Sequence, residues 1–135
     1  MYNANFVHKG RGVHTGRGIN TKRGREGEEQ AAAALEKAGM EIIAKNFRSK
    51  YGEIDIIALA GETIVFVEVK SWSTYGMEDL QYGLNIRKQQ KIIKTAKYFL
   101  CENRKYSRMA IRFDVVFVKN NSITHLASAF TERVL

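Results

Sequence analysis

Residues 53–70 read Glu-Ile-Asp-Ile-Ile-Ala-Leu-Ala-Gly-Glu-Thr-Ile-Val-Phe-Val-Glu-Val-Lys, two apolar, β-branched runs joined by Ala60-Gly61-Glu62. Side chains of this kind pack well on a pleated surface, and a glycine between two such runs lets the chain reverse. The segments Glu53–Leu59 and Ile64–Lys70 should therefore pair as a hairpin. Alternation puts Ile64, Phe66, Glu68 and Lys70 on one side of their strand and Val65, Val67 and Val69 on the other. An ionised carboxylate in so apolar a segment is costly unless a cation compensates it. Lys70 is the nearest cation, and an isolated Glu-x-Lys would read more readily as a structural ion pair. Asp55, set between Ile54 and Ile56, changes that balance because the hairpin can place its carboxylate across from Glu68. Two acids and one lysine do not make a simple pair. Two close carboxylates repel and offer the hard oxygen ligands that recruit Mg²⁺. Such an ion polarises a phosphoryl oxygen and helps ionise a water, while Lys70 orients that water or stabilises charge on the phosphate.

The flanking segments build a frame around this hairpin. From about Arg25 the pattern is helical, with Ala31, Leu35 and Ala38 on one stripe and Gly39 placed to stop it. Met40–Phe47 reads as a strand and Arg48-Ser49-Lys50-Tyr51-Gly52 as a basic turn. After a loop over 71–83, Ile86, Ile93 and Leu100 recur at heptad spacing beside Ile92, Ala96 and Phe99, which predicts a second long helix. Ala110–Val118 is a further strand, Lys119-Asn120-Asn121 a turn and Ser122–Leu126 a short edge strand. The order αβββαββ is that of an α/β fold. A helical crossover makes its strands parallel and short turns make theirs antiparallel, so a mixed central sheet flanked by helices is expected. Glu28, seven positions before Leu35, falls on the inward stripe of the first helix. Glu26, Glu29 and Glu36 point elsewhere.

With 135 residues and a mass of 15.4 kDa, one domain is the default. No apolar run approaches the length of a membrane span, and residues near Met1 lack the apolar stretch of a secretory signal, which places the protein in the cytoplasm. The lone Cys101 cannot form an internal disulfide and reads as a half-buried structural thiol. The net charge of +8 favours a polyanionic partner. Residues 1–23 hold Lys9, Arg11, Arg17, Lys22 and Arg23 and no acid, so more than half of that excess lies there. Glycine alternates with these basic residues, which predicts a flexible arm (1–23) ahead of a folded domain (24–135). Phosphate contact and simple solubility explain the arm equally well. His8, His14 and His125 have no partner at a telling spacing and receive no role.

Asp55 followed by Glu68-Val69-Lys70 after a hairpin resembles the PD-(D/E)xK nuclease superfamily, although that superfamily's proline is absent. More specifically, Gly27-Glu28, Asn46-Phe47-Arg48, Gly52-Glu53-Ile54-Asp55, Phe66-Val67-Glu68-Val69-Lys70, Arg112-Phe113-Asp114-Val115-Val116 and Ala129-Phe130 resemble a YraN-type uncharacterised protein family. The resemblance spans roughly residues 24–130. It implies a restriction-endonuclease-like fold, similar in its acidic positions to archaeal Holliday-junction resolvases, with Asp55, Glu68 and Lys70 catalytic. The implied metal, Mg²⁺ or Mn²⁺, would be held by Asp55, Glu68 and the Val69 backbone carbonyl. Glu28 matches the helical acid of those resolvases and is a further candidate ligand. Ser71-Trp72 departs from the family, where many relatives carry a basic residue two positions after the lysine.

Arg48, Lys50 and Tyr51 beside the hairpin, and Lys88 and Gln89 at the start of the second helix, are candidate nucleic-acid contacts. Phosphate contact is the favoured reading of the first three over a solvated basic turn, whereas ordinary helix solubility explains Lys88 equally well. Trp72 could stack on a base, but packing is the commoner use of such an aromatic. Glu53 is expected to tune Asp55, and Asp114 to pair with an arginine. The leading expectation is a metal-dependent endonuclease acting on DNA, with branched or unusual structures as one substrate class. The alternatives are a non-catalytic nucleic-acid-binding module of a DNA repair, processing or uptake assembly, and a protein-interaction scaffold. A homodimer would suit a paired-strand substrate.

Overall fold

The computed structural model describes residues 21–71 and 84–132, with side chains from residue 24. Residues 1–20 of the expected arm, most of the 71–83 loop and Trp72 lie outside the described residues.

Helix α1 (Thr21–Lys37) is followed by strands β1 (Glu41–Ser49), β2 (Gly52–Ala60) and β3 (Thr63–Ser71). Helix α2 (Ile86–Glu102), a 3₁₀ turn at Arg104–Tyr106 and strands β4 (Ala110–Lys119) and β5 (Ser122–Phe130) complete the order αβββαββ. The five strands lie in sequence order, antiparallel except for β3 and β4, which run parallel. The short turns and the α2 crossover dictate this mixed sheet, since only a long connection can return the chain to the starting end of a strand.

Each face of the sheet buries one helix. Ala31, Ala32 and Leu35 of α1 pack against Ile42, Ile56, Ala58, Val65, Val67, Val116 and Val118. On the other face, Ile92, Ile93, Ala96 and Phe99 of α2 meet Ile43, Phe47, Ile54, Ile57, Ile64 and Phe66. Phe99, fully buried, anchors this layer edge-on to Phe47 at 5.1 Å between ring centroids and near Phe66 at 6.0 Å. Helix α1 closes where Gly39 adopts φ +98° and the Met40 N–H bonds the Leu35 carbonyl at 3.0 Å, a left-handed cap that suits glycine. The β4–β5 hairpin turns through Asn120 and Asn121, both at positive φ, which asparagine tolerates best among residues with a side chain.

Several expectations change in detail. α1 begins at Thr21 instead of near Arg25, and β5 runs to Phe130, past the expected end at Leu126. Ala38 is exposed because it follows the last helical residue. Ile86 is exposed because it opens α2 before the helix crosses the sheet. Cys101 is exposed, not half-buried: it lies two residues, or about 200° of helical turn, from buried Phe99.

Candidate functional site

A cleft of about 610 Å³ opens where β2 and β3 part, between them and the first turns of α2. It is lined by Glu28, Gly52, Glu53, Asp55, Glu68, Asn85, Arg87, Lys88, Lys91 and Ile92. Its position follows from an interruption in the hairpin. Paired residues of β2 and β3 end at Ile56 and Val67, so Asp55 and Glu68 lie just beyond the paired ladder. Strict alternation also fails at Asp55, since Ile54 and Ile57 both face α2 while Ile56 and Ala58 face α1. Opposite this point, Asn46 of β1 sits at φ +52°. With the backbone ladder lost, Asp55 Oδ2 accepts the Val69 N–H at 2.7 Å, so a side chain satisfies a donor that the parted strand leaves.

Two close approaches bring the helices to this opening. A Cβ on Gly27 would stand 2.9 Å from Ser71 Oγ, so glycine there lets α1 cross the end of β3 and delivers Glu28 to the cleft. A Cβ on Gly52 would stand 3.3 Å from Thr95 Oγ1, so α2 lies close over the start of β2. Asn85 caps α2, its Oδ1 accepting the Lys88 N–H at 2.9 Å, and this fixes the turn that carries Arg87 and Lys88.

The charges are unevenly shared. Glu68, buried, receives Lys88 Nζ at 3.0 Å and Lys70 Nζ at 3.4 Å on the same oxygen, Oε2. Asp55 has no ion pair among the described residues. Its burial first, and the Glu68 charge second, push its carboxyl well above the usual aspartate range. Burial also raises Glu28, against the lowering effect of its hydrogen bond with Asn46 and together with the Glu53 charge. Burial lowers Lys70, helped by the Lys88 ammonium and opposed by Glu68. For Lys88 burial works against the ammonium, but attraction and hydrogen bonding to Glu68, with smaller contributions from Lys70 and the Asp55 charge, together outweigh it and the pKa rises.

Of the residues singled out in the sequence, Asp55, Glu68, Lys70, Glu28 and Lys88 are brought together here. The expected turn over 48–52 is shorter, because Arg48 and Ser49 still pair within β1; Arg48 is exposed 3.5 Å from Glu53, and Lys50 and Tyr51 form the exposed turn, with Lys50 over the Tyr51 ring. Gln89 is turned away: its amide donates to the Leu84 carbonyl at 3.0 Å and its side chain lines a different groove, beside Lys94 and Glu132. Sequence reasoning passed over Asn46, Asn85, Arg87 and Lys91. An asparagine inside an apolar strand and another just before a helical run were the available signals for the first two. Asp114, fully buried, pairs with Arg112 as expected, through Nε and Nη2 at 2.9 Å each. It also receives His125 Nε2 at 2.7 Å, a contact that sequence spacing did not reveal because the register of β5 on β4 creates it.

The donor set accommodates a hard divalent cation. Among the described residues no three Asp, Glu, His or Cys side chains form a ready cage. Mg²⁺, however, typically takes one or two carboxylates and fills its shell with waters and substrate phosphate, which an open cleft with Asp55 and Glu68 permits.

The model of the uncharacterised protein family UPF0102 matches residues 27–118, inside the span of the motifs noted in the sequence. A UPF0102 protein of Treponema denticola is 43% identical over 119 residues, covering 78% of this chain and 92% of that protein. One from Persephonella marina is 42% identical over 106 residues, covering 78% and 90%. One from Syntrophus aciditrophicus is 50% identical over 94 residues, covering 68% and 72%. Among the described residues no helix is long and apolar enough to cross a membrane.

Proposed function

We propose that this chain, which belongs to the uncharacterised protein family UPF0102, is a Mg²⁺- or Mn²⁺-dependent endonuclease of the PD-(D/E)xK type that hydrolyses DNA phosphodiesters. The observation that carries the proposal is Asp55, a carboxylate without an ion-pair partner among the described residues, beside Glu68 in a cleft open to solvent. Asp55, Glu68 and the Val69 carbonyl would hold the ion, with Glu28 at its margin. When bound, it would activate the phosphate as a Lewis acid and favour ionisation of a water. Lys70, tethered to Glu68 at 3.4 Å, would orient that water and meet charge on the phosphate. Arg87 and Lys91 on the cleft wall add positive charge at the first turns of α2, where a backbone phosphate would approach. Exposed Arg48 at the end of β1 and Lys50 in the turn after it would extend this basic rim.

The test is incubation of purified protein with Mg²⁺ or Mn²⁺ and branched, single-stranded and duplex DNA. Cleavage is expected, with Asp55→Ala, Glu68→Ala and Lys70→Ala each lowering the rate by on the order of 100-fold or more. No cleavage of any substrate, or cleavage undiminished in Asp55→Ala and Glu68→Ala, rejects the proposal.

One observation favours a second reading, a non-catalytic nucleic-acid-binding module: Glu68 is already neutralised by two ammonium groups. Binding that weakens steeply with salt, without cutting, distinguishes it.

A further inference from the structure

Glu68 carries two lysines, while Asp55, its neighbour, has no ion pair among the described residues and meets Lys88 only through the longer-range attraction of their charges. The two lysines differ in tether and exposure. Lys70 leaves the same strand as Glu68 and its side chain is 20% exposed, whereas Lys88 reaches across from the first turn of α2 and is 41% exposed at the cleft wall. Lys88 makes the shorter contact, 3.0 Å against 3.4 Å.

A carboxylate oxygen within hydrogen-bond reach of two ammonium groups has little capacity left for a third cation, and a divalent ion between Asp55 and Glu68 would lie against the Lys88 charge. For the ion to bind Oε2, one of the cations must move. Lys88 has the freer path: its backbone is pinned by Asn85, but its long side chain can swing along the α2 wall toward Arg87 and Lys91. A phosphate arriving at those residues offers that ammonium a second anion.

We infer that Lys88 is a built-in counter-cation that holds Glu68 in the metal-free protein and competes with the divalent ion, leaving Glu68 for an incoming phosphate when the ion binds. Metal and polyanion then favour each other's binding, because each removes Lys88 from the position that opposes the other. Coupling of this kind is reciprocal by thermodynamic necessity. Lys88 is thus a positioning residue that delays loading of the metal until nucleic acid is present. The inference rests on the metal site proposed for Asp55 and Glu68.

The test is calorimetric titration of MnCl₂ into the metal-free, full-length protein, alone and with a cleavage-resistant phosphorothioate DNA oligonucleotide, with Asp55→Ala as the blank. Lys88→Met keeps the aliphatic stem and removes the charge; Lys88→Gln repeats the test, and thermal melts establish that both variants fold. Without DNA, both should bind Mn²⁺ about tenfold or more tightly than the natural chain. DNA should tighten Mn²⁺ binding by the natural chain and change it little in the variants. Saturable binding by the natural chain that is unchanged or weaker in both variants overturns the role of Lys88 and leaves the metal site standing. Absence of Asp55-dependent binding in all proteins, with or without DNA, removes the metal site and this inference with it.

Discussion

Replacing Asp55 with asparagine isolates what its charge costs the fold. The amide oxygen can still accept the Val69 N–H that Asp55 Oδ2 receives at 2.7 Å, so the strand end is kept and the charge is removed. In the natural chain, burial and then Glu68 raise this carboxyl well above its ordinary value, and no ion pair among the described residues offsets the charge. The sign follows from linkage. A carboxyl whose folded pKa is raised carries no penalty below its unfolded pKa, and destabilises progressively as pH climbs from that value through the folded one. Asp55→Asn should therefore be more stable than the natural chain at about pH 8 by on the order of 1–2 kcal/mol, the lower range for removing a poorly compensated, partly buried charge. The difference should close as pH falls toward about 4, the usual aspartate value. Urea unfolding in EDTA-containing buffer across this range reads it directly, and each kcal/mol corresponds to roughly 2–8 °C in melting temperature for a domain of this size. Saturating Mn²⁺ should reverse the order, adding about 2.7 kcal/mol to the natural chain at 100 times its Kd and little to the variant. A variant less stable at pH 8, or a gap independent of pH, would show that the Asp55 charge is not the unfavourable element.

Asp114 makes the opposite case. Although burial disfavours its charge, hydrogen bonds from Arg112, Ser128 and His125 outweigh that and hold its carboxyl below the usual range. The stability it supplies is present above the unfolded pKa and fades as pH falls through the folded one, and Asp114→Ala should cost about 3–5 kcal/mol at neutral pH by urea unfolding. Asn46→Ala places a Cβ-bearing residue without a local hydrogen bond at φ +52° and should cost roughly 1–2 kcal/mol, whereas Asn46→Gly should lose less; equal losses would argue against backbone strain as the cause. Phe99→Ala, at a fully buried ring touching Phe47, Phe66 and Tyr106, should lose about 3–5 kcal/mol in the same assay.

The sequence alone determined the order of elements, the mixed sheet and the acids that meet in the cleft, because strand alternation and helical periodicity are local properties written at spacings of two and of three to four residues. Glu68 beside Lys70 on one face, Asp55 in the partner strand and Glu28 on the inward stripe were all legible in this way. Tertiary packing decided the rest. The parting of β2 from β3 at Asp55, the left-handed Asn46 opposite it and the His125–Asp114 contact depend on the local register between neighbouring strands, which alternation along one strand does not encode. The delivery of Lys88 to Glu68, together with the turning away of adjacent Gln89, depends on how α2 is rotated over the sheet. Helical periodicity gives a face to within a residue or two. The packing of α2 on the sheet, through its buried layer and its close approach at Gly52, fixes which of two neighbouring side chains reaches the carboxylate.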